Sequence, residues 1–103
     1  MEEARSSVVL EVEEEMESDS FVEVDAMHAR KEYESVYAEL VTQTEPEALW
    51  RLARVCVDLS ERQKKDKVRR EKYVREALKA AEEAVLRDPT NAYGQKWYGA
   101  FQY

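Results

Sequence analysis

From about residue 26 onward apolar positions recur at helical spacing, and before that point they do not. Tyr33, Val36, Tyr37, Leu40 and Val41 fall at i, i+3, i+4, i+7 and i+8, one apolar stripe that predicts a helix over 26–42. Thr44-Glu45-Pro46-Glu47 then breaks and restarts the chain, with Thr44 as an N-cap and Glu47 three residues on in a capping-box pattern. Leu49, Leu52, Ala53, Cys56 and Leu59 form the buried face of a second helix over 46–59. A third helix is marked by Tyr73, Val74, Ala77, Leu78, Ala81, Ala84 and Val85, whose small residues at 77, 81 and 84 allow a neighbouring helix to approach closely. Asp88-Pro89-Thr90-Asn91 ends it, because proline cannot continue a helix and Thr and Asn favour caps. A fourth helix opens at Ala92, with Tyr93, Trp97, Ala100 and Phe101 on one side.

Charge changes the picture in two places. Charged residues make up 38% of the chain and glycine and proline only two each, which favours helices over a turn-rich sheet. The formal net charge of −7 conceals an asymmetry. Residues 1–25 hold ten acidic side chains against Arg5 alone, whereas residues 26–103 hold thirteen acidic against fifteen basic. Within the second part, residues 60–75 are strongly basic and contain no helix breaker, so helix is expected to continue through part of them. The expected organisation is an acidic, disordered tail over 1–25 and a helical domain over 26–103. The last helix, with no partner to complete a hairpin, reads as the front piece of a longer array.

Several classes of function recede on composition. Cys56 is the only cysteine and His28 the only histidine, so no zinc cluster and no internal disulfide can form. Cys56 lies on a buried stripe, where a thiol behaves as a small inert hydrophobe. The two glycines, Gly94 and Gly99, build no phosphate loop, and the carboxylates fall on solvated faces or in the tail. Catalysis and a cofactor are therefore not expected. No apolar run approaches the roughly 20 residues that span a bilayer, and Met-Glu-Glu does not open a secretory signal, so direct membrane insertion is not expected. A lone cysteine suits a reducing compartment, and the expected location is cytoplasmic.

The order Leu52-Ala53, Ala77, Ala81, Ala84, Pro89 resembles a tetratricopeptide (TPR) repeat, with Leu49 and Trp97 as further packing positions. The departure is length: Leu52 to Ala77 is about a dozen residues longer than in an ordinary repeat. Cys56 also stands where an aromatic is usual, and Arg87 where a leucine is common. The sequence Glu45-Pro46-Glu47-Ala48-Leu49-Trp50-Arg51-Leu52-Ala53-Arg54, the long basic stretch, Glu76-Ala77-Leu78 and Lys96-Trp97-Tyr98-Gly99 together resemble the regulator of microtubule dynamics family. Tyr33 to Leu40 suits that family's first helix, and the resemblance covers about residues 28–101. It implies an all-α fold of antiparallel TPR-type hairpins. It also implies a protein-binding scaffold at microtubules, with cytoskeletal or spindle association.

The residues that would carry such docking are Arg62, Lys64, Lys65, Lys67, Arg69, Arg70 and Lys72, since clustered cations attract the acidic surface of a polymer such as the microtubule. The bland alternative is a solvated helix face with internal Glu–Lys pairs. Nucleic acid is not the expected partner: the basic run has no interleaved stacking aromatics apart from Tyr73, and the whole chain is acidic. A different class, a peptide-binding adaptor at organelle contacts without microtubule affinity, rests on the acidic, Phe-containing segment Ser18 to Asp25. Val8-Val9-Leu10-Glu11-Val12 resembles a peptide that adds a strand to a small modifier, and Ser18 and Ser20 are candidate phosphorylation sites. Trp50, Trp97, Tyr33 and Tyr37 are assigned to core packing. The oligomeric state is not set by any of these features.

Overall fold

In a computed structural model of the protein, residues 21–101 are described and contain five helices and no strand. They are α1 (Val22–Ala29), α2 (Tyr33–Leu40), α3 (Pro46–Arg62), α4 (Lys67–Arg87) and α5 (Ala92–Gly99).

The core centres on α3, which buries Ala48, Leu49, Trp50, Leu52, Ala53, Val55, Cys56 and Leu59. Opposite it α4 offers Ala77, Ala80, Ala81 and Ala84, all buried. Four alanines on one face leave room for α3 to come close, so the larger side chains come from one helix and the space from the other. Both helices are long, and only Gln63–Asp66 separates them, so the stretch from Leu52 to Ala77 is mostly helix rather than loop. Asp66 caps α4 by accepting from the Arg69 backbone N–H at 3.1 Å. Asn91 caps α5 by accepting from the N–H groups of Tyr93 and Gly94, both at 3.0 Å.

Three expectations are corrected. The helix expected over 26–42 is two helices, broken at Arg30–Glu32. Glu32 N–H donates to Met27 O at 3.0 Å and Lys31 N–H to His28 O at 2.9 Å, a Schellman closure with Lys31 at φ 64° in the left-handed position that glycine usually fills. The helical body also begins before residue 26: Phe21 and Val24, assigned to the tail, are 5% and 6% exposed and belong to the core. Finally, the N-cap of α3 is Glu45, without a side-chain cap bond, and Pro46 takes the first helical position; Thr44 does not cap. The tail over 1–20, with its strand-like and phosphorylation motifs, lies outside the described residues.

The apolar stripes are otherwise buried where α3 is involved and less so elsewhere. Val36 and Leu40 are fully buried, but Val41, Val74, Leu78 and Tyr93 are exposed. Tyr37 reaches from α2 to α4, where its hydroxyl donates to Glu76 Oε2 at 2.6 Å and its ring meets Tyr73 edge to face. Burial, and then the Glu76 carboxylate, raise the pKa of the Tyr37 hydroxyl.

Candidate functional site: a basic hairpin tip and a polar seam on α3

The seven expected docking residues come together at one end of the α3–α4 hairpin. Arg62 closes α3, Lys64 and Lys65 lie in the connection, and Lys67, Arg69, Arg70 and Lys72 occupy the first two turns of α4. All are exposed except Arg70, which is half-buried. Their engagement differs. Arg62 is held: its guanidinium stacks 4.3 Å from the Tyr33 ring centroid, donates to Lys31 O at 3.1 Å, and sits 3.8 Å from Glu34. Arg70 leans on the connection, donating to Lys64 O at 3.4 Å. Among the described residues Lys64, Lys65, Lys67, Arg69 and Lys72 make no ion pair, and the internal Glu–Lys pairing of the bland alternative is not seen there. The one i,i+4 pair on α4 is Arg87 with Glu83, at the far end of the helix. Lys72, Arg75 and Lys79, at i, i+3 and i+7, continue the cationic edge along α4.

The residues expected to pack the repeat are placed as follows. Leu49, Leu52, Ala53, Ala77, Ala81 and Ala84 are buried. Pro89 lies exposed in the turn between α4 and α5, and Trp97 is half-buried against the core. Cys56 is fully buried, and burial followed by the nearby Glu76 charge pushes its thiol pKa up to about 12.

A second cluster was not singled out in the sequence. Along one side of α3 a seam of polar contacts holds α1. Arg51, only 9% exposed, donates to both carboxylate oxygens of Asp25, from Nε at 2.9 Å and Nη2 at 3.1 Å. Its remaining nitrogen, Nη1, donates to Glu47 O at 2.8 Å and Glu47 Oε1 at 3.2 Å. Its plane is packed by Phe21 and Trp50, whose ring centroids lie 4.4 and 4.3 Å from the guanidinium carbon. Arg54 adds a third bond to Asp25 at 3.1 Å. Burial alone would raise the Asp25 pKa; the hydrogen bonds and charge of Arg51, then of Arg54, outweigh it and lower it. Further along, His28 Nε2 lies 2.6 Å from Asp58 Oδ2. Thus α1 runs parallel to α3, with Phe21 beside Arg51, Asp25 beside Arg54 and His28 beside Asp58.

The same helix anchors α5. Glu47 accepts from Asn91 Nδ2, and the Trp50 ring stacks on Tyr93 at 4.6 Å and 18°. The signal for this seam is Trp50, Arg51 and Arg54 within one helical turn, but their partners outside α3 lie 26–43 residues away and spacing does not reveal them.

No group of three or more metal-ligating side chains occurs among the described residues, and none of their helices is long and apolar enough to cross a membrane. No curated protein and no solved structure gives a significant match to the chain. A family profile described as Regulator of microtubule dynamics protein 1-3 matches residues 10–102, reaching further toward the N-terminus than the motifs quoted above and taking in all of α1. The chain, matched over nearly its whole length, belongs to the regulator of microtubule dynamics family.

Proposed function

We propose that the protein is a non-catalytic, TPR-type scaffold that docks on microtubules through its hairpin tip. The observation that carries this reading is the set of exposed cations without ion-pair partners at Lys64, Lys65, Lys67, Arg69 and Lys72. A cation already paired gives up one partner to gain another, whereas an unpaired one brings its full charge to an anionic surface. The family's description, regulator of microtubule dynamics, favours a microtubule as that surface. The tip is held at both sides, since Asp66 caps α4 and Arg62, at the end of α3, donates to Lys31 O in the α1–α2 turn and lies beside Glu34 on α2. A cytoplasmic, cytoskeleton-associated protein is the corresponding location.

The test is co-sedimentation with polymerised tubulin at low and moderate salt. The triple variant Lys64→Gln, Lys67→Gln, Arg69→Gln touches no described ion pair, so helicity is expected to stay unchanged while binding falls at least tenfold. Wild-type binding should weaken with salt, because charges beyond about 8–10 Å are screened at physiological ionic strength. Unaltered binding by the triple variant refutes docking through the tip.

A further inference from the structure

We infer that the face of α3 beneath α1 is a peptide-binding surface occupied in cis, and that it takes a partner helix carrying an aromatic residue followed, four positions on, by a carboxylate. This surface is separate from the hairpin tip and does not depend on microtubule docking.

The argument starts from how α1 is held. It is an eight-residue helix, too short to be stable alone in water, so its conformation is imposed by what it sits on. Its apolar packing is limited to Phe21 and Val24, with Met27 half-buried beside them, and its N-cap makes no side-chain bond. What holds it is a specific chemical match. An aromatic ring lies on a guanidinium, and the Asp25 carboxylate is gripped by Arg51 and Arg54 in three hydrogen bonds of 2.9–3.1 Å. This is the recognition that an arginine pair offers to an acidic peptide helix. The receptor side is firm where the ligand side is not: Arg51 is fixed by Glu47 from within α3, so it remains positioned when α1 leaves. The segment in place also leaves donors over. Trp50 Nε1 and Arg54 Nε, four residues apart on α3, are buried and have no acceptor among the described residues. A partner helix with a further acceptor would gain bonds that α1 does not make.

Occupancy in cis sets the affinity a partner needs. A segment tethered through Arg30–Glu32 competes at an effective concentration on the order of 1 mM. A free peptide of equal intrinsic affinity at about 10 μM would then occupy the face in about 1% of molecules. A partner must bind more tightly than α1, or α1 must first be loosened.

The test measures fluorescence anisotropy of a labelled peptide spanning residues 19–32, added to the full chain. Wild-type chain is expected to bind it weakly. A chain carrying Phe21→Ala and Asp25→Asn, which loosens the segment in cis and leaves α3 untouched, is expected to bind it at least tenfold more tightly. The same peptide carrying those two substitutions should lose that gain. A second chain, with eight Gly-Ser residues inserted after Arg30, opens the closure at Lys31 and Glu32 but leaves every side-chain contact between α1 and α3 in place; it lowers the effective concentration and should show several-fold tighter binding than wild type. This insertion decides the matter if the double substitution reduces helicity. Equal binding by wild-type and loosened chains, or equal binding of native and substituted peptides, overturns the inference.

Discussion

Replacing Asp25 by alanine tests the polar seam most directly. The substitution removes three charge-assisted hydrogen bonds, two to Arg51 and one to Arg54. Bonds to charged groups contribute about 1.5–3 kcal/mol each when buried. Asp25's side chain is 41% exposed and Arg54's 22%, so solvent screening cuts that sum heavily, and we expect about 2 kcal/mol in total. That is about a 30-fold fall in the ratio of docked to undocked α1. The assay is native-state amide exchange. The N–H groups of Asp25, Arg30 and Glu32, bonded within α1 and its closure, should exchange about 30-fold faster, while those of α3 and α4 keep their protection. The pH dependence follows from the lowered Asp25 pKa. A carboxylate stabilised in the folded state contributes fully above its usual pKa of about 3.9, and the contribution is lost as pH falls through the lower folded value. The gap between wild type and variant should therefore close in strong acid. A gap below about 0.5 kcal/mol at neutral pH, or one that persists unchanged in strong acid, refutes the reasoning.

Other expectations follow from single positions. Lys31→Gly removes a left-handed lysine and should stabilise α1's closure by about 0.5–1 kcal/mol after glycine's greater unfolded-state entropy is counted; a lower thermal midpoint would contradict it. Gly94→Ala places a Cβ at 3.5 Å from Ala84 Cβ, an ordinary contact, so the better helix former should add about 0.5 kcal/mol in chemical denaturation. Ala81→Leu overpacks the fully buried α3–α4 interface and should cost about 1–3 kcal/mol; a neutral result would mean that the helices separate easily. Cys56, buried with its pKa near 12, should resist alkylation at neutral pH until the chain is unfolded.

Periodicity located α3 and α4 because both helices face one another and bury single stripes. The Leu49–Leu59 and Ala77–Ala84 faces follow from spacing alone. The break between α1 and α2 was not legible, because Ala29-Arg30-Lys31-Glu32 contains neither glycine nor proline, and a lysine in the left-handed region leaves no local signature. Phe21 and Val24 were lost for a different reason. Acidic neighbours made the segment look solvated, and its burial depends on Arg51 and Arg54, far along the chain. Val74 and Leu78 erred the other way: they fit a helical stripe, yet α4 meets α3 through its alanines, and those two residues fall outside the contact. The basic tip was legible as composition, but which of its cations lack partners required the structure.

The Trp50 ring, set among Phe21's neighbour Arg51, Arg54 and the stacked Tyr93, turns the molecule into its own optical gauge. Its indole touches residues belonging to two different docking events, α1 through the guanidinium it shares and α5 through the tyrosine it covers. The only other indole, Trp97, is half-buried on α5. Emission from the chain therefore divides into one component that senses the release of either α1 or α5 and one that senses α5 alone, and a Trp97→Phe variant isolates the first without an added label.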